Sequence, residues 1–294
     1  MTWRESTIEG PMDLRQTLGG LQNGGRDPTF QFTREGTCFM AFRSPDGPVS
    51  MELHGTRARA WGPGADWALE RHDALIGADD PMDFDPQHRL LKQLHKRRRG
   101  ARLAKTYRVT RLLMPVVMGQ LITWREAIRG WTMFCKHGGE AAPGPVDLML
   151  APSPKTVLGM PWYRMRSFGL SRRHAEALHH VARRSKRMEE AAFMNTEDCE
   201  RRLRALPGIG PWTANSAMVR GMGHADAVIT GDFHLPNDVA WALAGEERAD
   251  DARMLELLEP YTGRRGQVVR MLKAGAGGAP RYGPKSEARD FRQD

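Results

Sequence analysis

The sequence segment that decides the fold is LRALPGIGPWTANSA, residues 203–217. We expect a helix over 196–205, with Thr196 as a suitable N-cap, and the Pro-Gly-Ile-Gly run that follows ends it. Pro211 can begin a second helix, which we expect to continue over 211–221, because its missing N–H would have no partner there. The segment therefore predicts two short helices joined by a tight hairpin.

The glycines of this hairpin favour contact with a phosphate group. Gly208 and Gly210 permit positive φ and a close backbone approach of a ligand. Unpaired N–H groups at the start of the second helix suit an anion, and Ile209 is expected to anchor the hairpin in the core. The predicted phosphate-binding residues are Gly208, Ile209, Gly210 and Thr213. An isolated Gly-x-Gly is also typical of a purely structural connection.

Upstream of residue 64, the sequence alternates with the period of two that is typical of strands. The predicted strands span 29–34, 37–43, 49–54 and 57–61, and a short helix is expected around 13–21. A Ser-Pro-Asp-Gly turn separates the second strand from the third. Residues 1–64 are thus predicted to form a small N-terminal antiparallel β-rich domain.

Beyond residue 64 the hydrophobic period changes to about 3.6, which indicates helices. A helical domain is predicted over 65–280, followed by a basic tail over 281–294. Residues 138–170, rich in Gly and Pro, are expected to be a connection. The predicted helices lie near 65–76, 86–97, 109–136, 171–192, 196–205, 211–221, 235–244, 250–258 and 264–274. The predicted class is α+β, a small antiparallel β domain joined to an all-helical domain.

The net charge of the chain indicates a polyanionic partner. The 294 residues carry 44 Lys and Arg against 35 Asp and Glu, a formal charge of +9, with a pI near 9.9. Ten basic residues and no acidic ones lie between Arg89 and Arg111, and residues 260–294 carry a local +5. Such runs suit a phosphate backbone, although a run of charges is also typical of a solvated surface.

Other features of the composition exclude several classes of protein. The three cysteines are far apart and show no CxxC spacing, so neither a four-cysteine iron–sulfur cluster nor a zinc site is expected. No run of 18 apolar residues predicts a membrane helix. The N-terminus lacks an apolar signal core, so a cytoplasmic location is expected.

The string LPGIGPWTA at 206–214, with the RGxG and DA that follow it, resembles the helix-hairpin-helix DNA glycosylases. The resemblance is greatest to the bacterial 3-methyladenine DNA glycosylase II type. It extends over most of residues 11–294 and is strongest in 109–135 and 203–245. It implies removal of damaged bases from double-stranded DNA in base excision repair, by a monomer associated with the nucleoid. It also implies no cofactor or metal, apart from a possible monovalent cation on hairpin carbonyls near Leu206 and Ile209.

The resemblance assigns the catalytic role to Asp232, which lies 20 residues after Trp212. Breaking an N-glycosidic bond develops positive charge on the sugar, and a nearby carboxylate stabilises that charge and orients water. The target nucleotide must first be flipped out of the duplex. Without the upstream motif, Asp232 is equally well interpreted as an N-cap of the helix near Leu235. Asp226 and Asp238 are expected to be capping or surface residues.

The residue at position 212 distinguishes two mechanisms. Relatives that also cleave the sugar–phosphate backbone carry a lysine there, which forms a Schiff base. Trp212 cannot do this, so a monofunctional glycosylase is expected. Trp212 and Ser216 are the predicted base-pocket residues, with the indole stacking on a cationic base. Packing of Trp212 in the helical core is the alternative.

A second match to the family is the Gln120–Leu121 pair at the end of an apolar run. In the family, such a leucine enters the gap that the flipped nucleotide leaves, and an apolar wedge of this kind offsets the loss of stacking. The apolar run alone is equally typical of a core helix. Pro115, within the run, is expected to bend the helix or delay its start.

Departures from the family pattern leave the substrate open. Gly20 and Ser216 stand where the family member has pocket aromatics, and the candidate replacements are Trp124, Trp162, Tyr163 and Tyr282. His234 is expected to contact DNA phosphate or Asp232 rather than a metal, and His179 and His180 are expected at the surface. The main alternative is a protein that binds damaged or distorted DNA with little or no catalysis. A glycosylase for deaminated or oxidised bases is a third hypothesis.

Overall fold

The N-terminal strands form a five-stranded antiparallel sheet in a computed structural model that describes residues 3–80 and 83–282. The strand order is β1-β5-β4-β3-β2. The strands are β1 (Arg4–Glu5), β2 (Phe30–Phe32), β3 (Cys38–Ser44), β4 (Gly47–His54) and β5 (Arg57–Trp61). Alternate residues of β3, namely Cys38, Met40 and Phe42, face the main core, as a period of two requires. The predicted strands and the α+β class are confirmed.

All helices but the first follow the sheet in sequence, and several of them pack against the buried helix Val109–Met118. The helices are α1 (Leu14–Leu18), α2 (Ala65–Glu70), α3 (His72–Ile76), α4 (Arg89–Arg97), α5 (Val109–Met118), α6 (Trp124–Gly138), α7 (Pro154–Gly159), α8 (Trp162–Arg166), α9 (Arg172–Arg183), α10 (Ser185–Glu189), α11 (Thr196–Arg204), α12 (Pro211–Gly221), α13 (Leu235–Ala244), α14 (Asp251–Leu258) and α15 (Arg265–Gly275). Nearly every residue of α5 is buried, and the helix packs against α12 and α9. The sheet and α5 share one continuous apolar core. The domain boundary at residue 64 stays a prediction.

A second apolar cluster lies beside the first. It is formed by α4, α13, α14 and α15, with Leu91, Val239 and Val268 among its buried residues. Trp212 and Val219 of α12 pack against it, so α12 lies between the two clusters. This arrangement brings the segment that precedes α13 next to the start of α12.

Several sequence-based boundaries are wrong. The helix predicted over 65–76 is the two helices α2 and α3. The helix predicted over 109–136 is two helices, because residues 119–123 form a turn and Thr123 starts α6 with a capping box to Glu126. The helix predicted over 171–192 is divided into α9, α10 and a 3₁₀ turn. The N-cap of α11 is Asn195, whose side chain accepts the N–H of Asp198; Thr196 is already helical.

The connection predicted over 138–170 contains regular structure. Two short strands, β6 (Glu140–Ala141) and β7 (Met149–Leu150), pair antiparallel, and α7 and α8 follow. Leu148 and Leu150 pack on Ala41, on the face of β3 that points away from the main core. The helical part is therefore not all-helical, since this ribbon covers the outer face of the sheet.

The basic run between Arg89 and Arg111 is partly buried. Arg102 is 1% exposed, and its guanidinium donates to the backbone carbonyls of Glu9, Pro11 and Gly77. Arg108 pairs with Glu189 at 3.4 Å. These arginines stabilise the fold, so only part of the run is available to a polyanion. Residues 283–294, most of the predicted basic tail, lie outside the described residues.

Candidate active site and nucleic-acid interface

The hairpin between α11 and α12 forms the tight turn that the sequence predicts. The N–H of Ile209 donates to the carbonyl of Leu206 at 3.1 Å, and the Ile209 side chain is buried in the main core. Gly208 has φ +84°, and a Cβ there would lie 2.8 Å from Cβ of Ala177. Gly210 has φ −88°, and a Cβ there would meet open space. The fold therefore requires glycine at position 208. At position 210 it does not, but the absence of a side chain leaves the backbone at the start of α12 open to a ligand.

The start of α12 presents free backbone donors. The N–H of Ala214 is the first to bond within the helix, to the carbonyl of Gly210 at 3.0 Å. The N–H groups of Trp212 and Thr213, which precede Ala214 in the first turn, are consequently directed out of the helix end. The Thr213 side chain is buried and its hydroxyl accepts a hydrogen bond from Gln120. Thr213 can therefore offer an anion its backbone N–H rather than its hydroxyl.

Gln120 fastens the turn after α5 to the hairpin. Its side-chain amide donates to the Gly208 carbonyl at 2.9 Å and to Oγ1 of Thr213 at 2.7 Å. These contacts occupy the Gln120 amide within the protein. The two segments that the sequence assigned to DNA contact are thus held as one unit.

His174 supports the same unit and was missed by the sequence reasoning. Its Nδ1 accepts the N–H of Ser171 at 3.0 Å, so the proton is on Nε2, which donates to the carbonyl of Gln120 at 2.8 Å. Burial lowers the pKa of His174; the bond to Gln120 opposes this effect and the charge of Arg173 adds to it. The only signal in the sequence is the spacing of Ser171 and His174, which form a capping box at the start of α9.

Leu121 projects from the turn after α5 into solvent. Its side chain is 92% exposed, and its φ is +56°, a left-handed conformation that costs a residue with a Cβ roughly 1–2 kcal/mol. Trp124, at the start of α6, is 62% exposed. The alternative that Leu121 belongs to the core is wrong. An exposed, strained leucine at a helix end is the geometry that an apolar wedge requires.

Asp232 contacts both the start of α13 and the indole of Trp212. Its Oδ1 accepts the N–H groups of His234 and Leu235 at 3.0 and 2.9 Å, and its Oδ2 accepts Nε1–H of Trp212 at 2.9 Å. The N-cap of α13 is His234, so Asp232 is not the N-cap itself, although one oxygen of its carboxylate accepts N–H groups at the start of the helix. Burial raises the pKa of Asp232, but the hydrogen bonds from Trp212, His234 and Leu235 and the charge of Lys273 outweigh it and lower the pKa overall.

The turn after α5 and the carboxylate of Asp232 lie at opposite ends of the Trp212 indole. A Cβ on Gly119 would lie 3.8 Å from Cη2 of Trp212, at the far end of the ring from the five-membered ring that carries Nε1. Ser216, one turn after Trp212 on α12, is buried. The structure thus brings together Asp232, Trp212 and the turn that contains Leu121.

The other sequence candidates have structural partners of their own. His234 Nδ1 contacts Arg281 at 2.9 Å, and the hydroxyl of Tyr282 donates to Glu247. Trp162 and Tyr163 pack edge-to-face on α8. Within residues 3–80 and 83–282, none of the side chains of Trp162, Tyr163 and Tyr282 makes a hydrogen bond or ring contact with Asp232.

The nearby acids behave as the sequence predicts. Asp226 accepts the N–H of Arg265 at the start of α15 and pairs with its guanidinium, and Asp238 pairs with Arg281 at 2.9 Å. The part of the chain that the structure describes contains no cluster of three or more His, Cys, Asp or Glu suited to a metal. Carbonyls of Leu206 and Ile209 lie in one tight turn, and backbone oxygens are suitable ligands for a hard cation. No described helix is long and apolar enough to cross a membrane.

Comparison with known proteins confirms the resemblance at the level of the fold. A solved 3-methyladenine DNA glycosylase of Archaeoglobus fulgidus superposes with a TM-score of 0.75 at 18% identity, covering 93% of this chain and 98% of that one. A Clostridium acetobutylicum 8-oxoguanine glycosylase/lyase, in complex with double-stranded DNA, superposes with a TM-score of 0.67 at 11% identity, covering 92% and 96%. The chain therefore has the fold of the helix-hairpin-helix DNA glycosylases.

The sequence comparisons are more limited. The Bacillus subtilis (strain 168) protein YfjP, a candidate DNA-3-methyladenine glycosylase, is 24% identical over 153 residues. The match covers 51% of this chain and 52% of YfjP, so the chain spans about half the length of the curated relative it matches. No model of a known protein family matches the chain.

Proposed function

We propose that this chain is a monofunctional DNA glycosylase of base excision repair, which hydrolyses the N-glycosidic bond of alkylated purines such as 3-methyladenine in double-stranded DNA. The observation that carries the proposal is the contact of Asp232 with Trp212 at the start of α12, close to the turn that contains the exposed Leu121. One small region thereby holds a carboxylate, an aromatic ring, a wedge and free backbone donors. These are the groups needed to bind, flip and hydrolyse a nucleotide.

Asp232 acts mainly by electrostatic stabilisation in this proposal. Its lowered pKa keeps the carboxylate ionised at neutral pH. A carboxylate with a low pKa is a weak general base, but it stabilises the positive charge that develops on the sugar and orients the attacking water. An alkylated purine that carries a positive charge is already a good leaving group. The reaction therefore needs little acid catalysis from the protein.

DNA binding is divided between two kinds of contact. The outward N–H groups of Trp212 and Thr213 bind one phosphate, and exposed lysines and arginines supply a hold that does not depend on sequence. Leu121 enters the gap in the duplex that the flipped nucleotide leaves. No cofactor takes part. A monovalent cation on the carbonyls of Leu206 and Ile209 would stabilise the hairpin without entering the reaction.

The absence of lyase activity follows from position 212, where an indole replaces the amine that a Schiff base requires. Treatment with borohydride during turnover traps a Schiff base covalently. We expect no trapped complex between this protein and damaged DNA. A trapped complex would show that a lysine of this chain attacks the sugar.

A non-catalytic protein that binds damaged DNA is the second candidate. The observation in its favour is the small volume of Gly20 and Ser216, where the resembling family member has pocket aromatics. The test is a profile of free bases released from alkylated double-stranded DNA, measured by chromatography. We expect release of methylated purines; binding without release of any base would support the second candidate.

A further inference from the structure

A cavity of about 420 Å³ lies between the sheet and the helices, away from Asp232. Its walls come from β3, the first half of α5, Trp131 of α6, the start of α7 and α10. A volume of this size is within the range of small-molecule sites, which begins near 300 Å³. The cavity is also partly open to solvent, so a ligand could enter it.

The cavity is separate from the proposed active site. It is lined by Thr110, Arg111 and Met114 in the first half of α5, whereas Gln120 and Leu121 follow the end of the same helix. At 1.5 Å per helical residue, Arg111 and Gln120 are about 13 Å apart along the axis. A ligand in the cavity would not touch the hairpin, and the inference does not depend on the proposed function.

Two of the four cations in the cavity wall are already paired. Arg43 contacts Glu140 at 2.7 Å and Arg108 contacts Glu189 at 3.4 Å. Among the residues that the structure describes, neither Arg111 nor Lys186 forms a hydrogen bond or an ion pair; Arg111 lies over the Phe42 ring at 5.9 Å. Burial lowers the pKa of Arg111, although the charge of Asp27 opposes this. The cavity therefore contains positive charge that no contacting carboxylate neutralises.

The rest of the lining is mainly apolar. Phe42, Met114, Trp131 and Pro152 supply broad apolar surfaces, and the one acidic residue in the wall, Glu189, is occupied by Arg108 and by the N–H groups of Val109 and Thr110. Such a wall suits a flat apolar body with a single anionic group. An inorganic ion alone would leave the apolar walls without a partner.

We propose that this cavity binds a small organic anion, with an aromatic body between the apolar walls and one phosphate or carboxylate group on Arg111 and Lys186. The two head groups share the chemistry that a guanidinium and an ammonium recognise. Lys186 is exposed on α10 and reaches the cavity, so it would meet the ligand at the entrance.

Isothermal titration of the full chain with four probes tests the proposal. The probes are deoxyadenosine monophosphate, benzoate, deoxyadenosine and inorganic phosphate, each added in the presence of a saturating DNA duplex that occupies the hairpin. We expect the nucleotide or benzoate to bind with one-to-one stoichiometry, and deoxyadenosine and phosphate to bind at least about tenfold more weakly. Comparison of the first two probes identifies the preferred head group.

Variants of two lysines make the test specific. We expect Lys186→Ala to weaken binding about tenfold, and Lys155→Ala, an exposed lysine of α7 outside the cavity wall, to leave it unchanged. Arg111→Met should abolish binding. If Arg111→Met does not fold, the comparison of Lys186→Ala with the wild type still tests the proposal. No binding by either organic anion, or equal affinity in wild type and Lys186→Ala, would overturn the proposal.

Discussion

At the scale of single residues, the indole of Trp212 orients the carboxylate of Asp232. The hydrogen bond from Nε1 to Oδ2 holds the carboxylate in one orientation and favours its ionised form. The family resemblance points to Asp232, 20 residues after Trp212, but it gives no sign that Trp212 is the partner of this carboxylate. Such a contact depends on how α12 and α13 pack, which a local pattern does not encode.

Replacement of this indole should change the pH dependence of base release. In Trp212→Phe an aromatic ring remains at the start of α12, but Asp232 loses one hydrogen bond that lowers its pKa. Because the proposed reaction uses the ionised carboxylate, we expect the acidic limb of the excision rate to move to higher pH by about one pH unit. Single-turnover rates between pH 3 and 7, at pH values where both proteins stay folded, measure this shift.

The matched control is Trp162→Phe, which changes a partly exposed indole on α8. Its pH profile should be that of the wild type. An acidic limb that stays in place in Trp212→Phe would mean that the contact with Asp232 does not set the ionisation on which the reaction depends.

The two hairpin glycines serve different purposes at the scale of elements. Gly208→Ala places a Cβ against Ala177 at positive φ, so we expect the free energy of unfolding to fall by about 2 kcal/mol. Gly210→Ala is compatible with its backbone and open surroundings, and should leave stability unchanged. Its methyl group would nevertheless hinder a phosphate at the start of α12 and weaken DNA binding severalfold. Urea unfolding and duplex titration separate the two effects.

Loss of DNA affinity in Gly210→Ala without loss of stability is the key result of this pair. If Gly210→Ala binds duplex DNA as the wild type does, the start of α12 is not the phosphate site. If Gly208→Ala is as stable as the wild type, a Cβ at position 208 fits against α9 without loss of stability.

Leu121, in the turn after α5, should act as a wedge in the DNA, and its side chain should contribute nothing to the stability of the fold. Because Leu121 is almost fully exposed, Leu121→Ala should keep the melting temperature while excision slows by about tenfold. Leu121→Gly should be slower as well, yet more stable by about 1 kcal/mol, since glycine removes the cost of φ +56°. Thermal melts and single-turnover excision measure both quantities.

Leu158→Ala, a leucine of α7 that is 41% exposed, is the matched control for loss of apolar surface. Its excision rate should equal that of the wild type. Unchanged excision in Leu121→Ala would contradict the wedge role. A large loss of stability in the same variant would show that the Leu121 side chain packs in the core.

The same turn shows where the sequence was insufficient at this scale. The apolar run that contains Leu112 predicts a helix, and α5 confirms it. The run gives no sign that the helix ends at Met118, because Leu121 has no preference for the left-handed conformation it adopts. Packing of Gln120 on the hairpin and of His174 on the Gln120 carbonyl fixes that conformation, and both contacts span more than 50 residues of sequence.

At the scale of the whole molecule, buried histidines make stability depend on pH. Burial lowers the pKa of His72 to about 4, with Asp73 opposing and Arg4 adding to the effect, and burial likewise lowers the pKa of His224 to about 4. The unfolded chain binds a proton at each site below about pH 6.5, whereas the folded chain binds one only near pH 4. The free energy of unfolding should therefore be largest above pH 6.5 and fall as the pH decreases towards 4.

Urea unfolding at pH 7.5 and pH 5 measures this loss, which should be on the order of 1–2 kcal/mol for each of the two histidines. His72→Gln should reduce the difference between the two pH values, and His54→Gln, at an exposed position, should not. Equal stability of the wild type at both values would contradict the effect of burial on these side chains.

The net charge of the chain predicts the kind of partner but not which basic residues are free to bind it. A formal charge of +9 predicts a polyanionic partner. Arg102, however, donates to backbone carbonyls and Arg108 pairs with Glu189, so neither charge is available to a partner. A sequence run does not reveal which cations are buried, because that depends on where the chain passes between the sheet and the helices. The fold class and the hairpin were predictable from local patterns, whereas the network that joins them was not.

The measurement that tests the central claim most directly is single-turnover release of 3-methyladenine from duplex DNA by the wild type and Asp232→Asn. The asparagine oxygen can still accept the N–H groups of His234 and Leu235, so the variant should fold and bind duplex with unchanged affinity. We predict that excision falls by about 10²–10³-fold, because the charge that stabilises the transition state is lost. Equal release by the two proteins, at equal DNA affinity, would contradict the assignment of Asp232 as the catalytic residue.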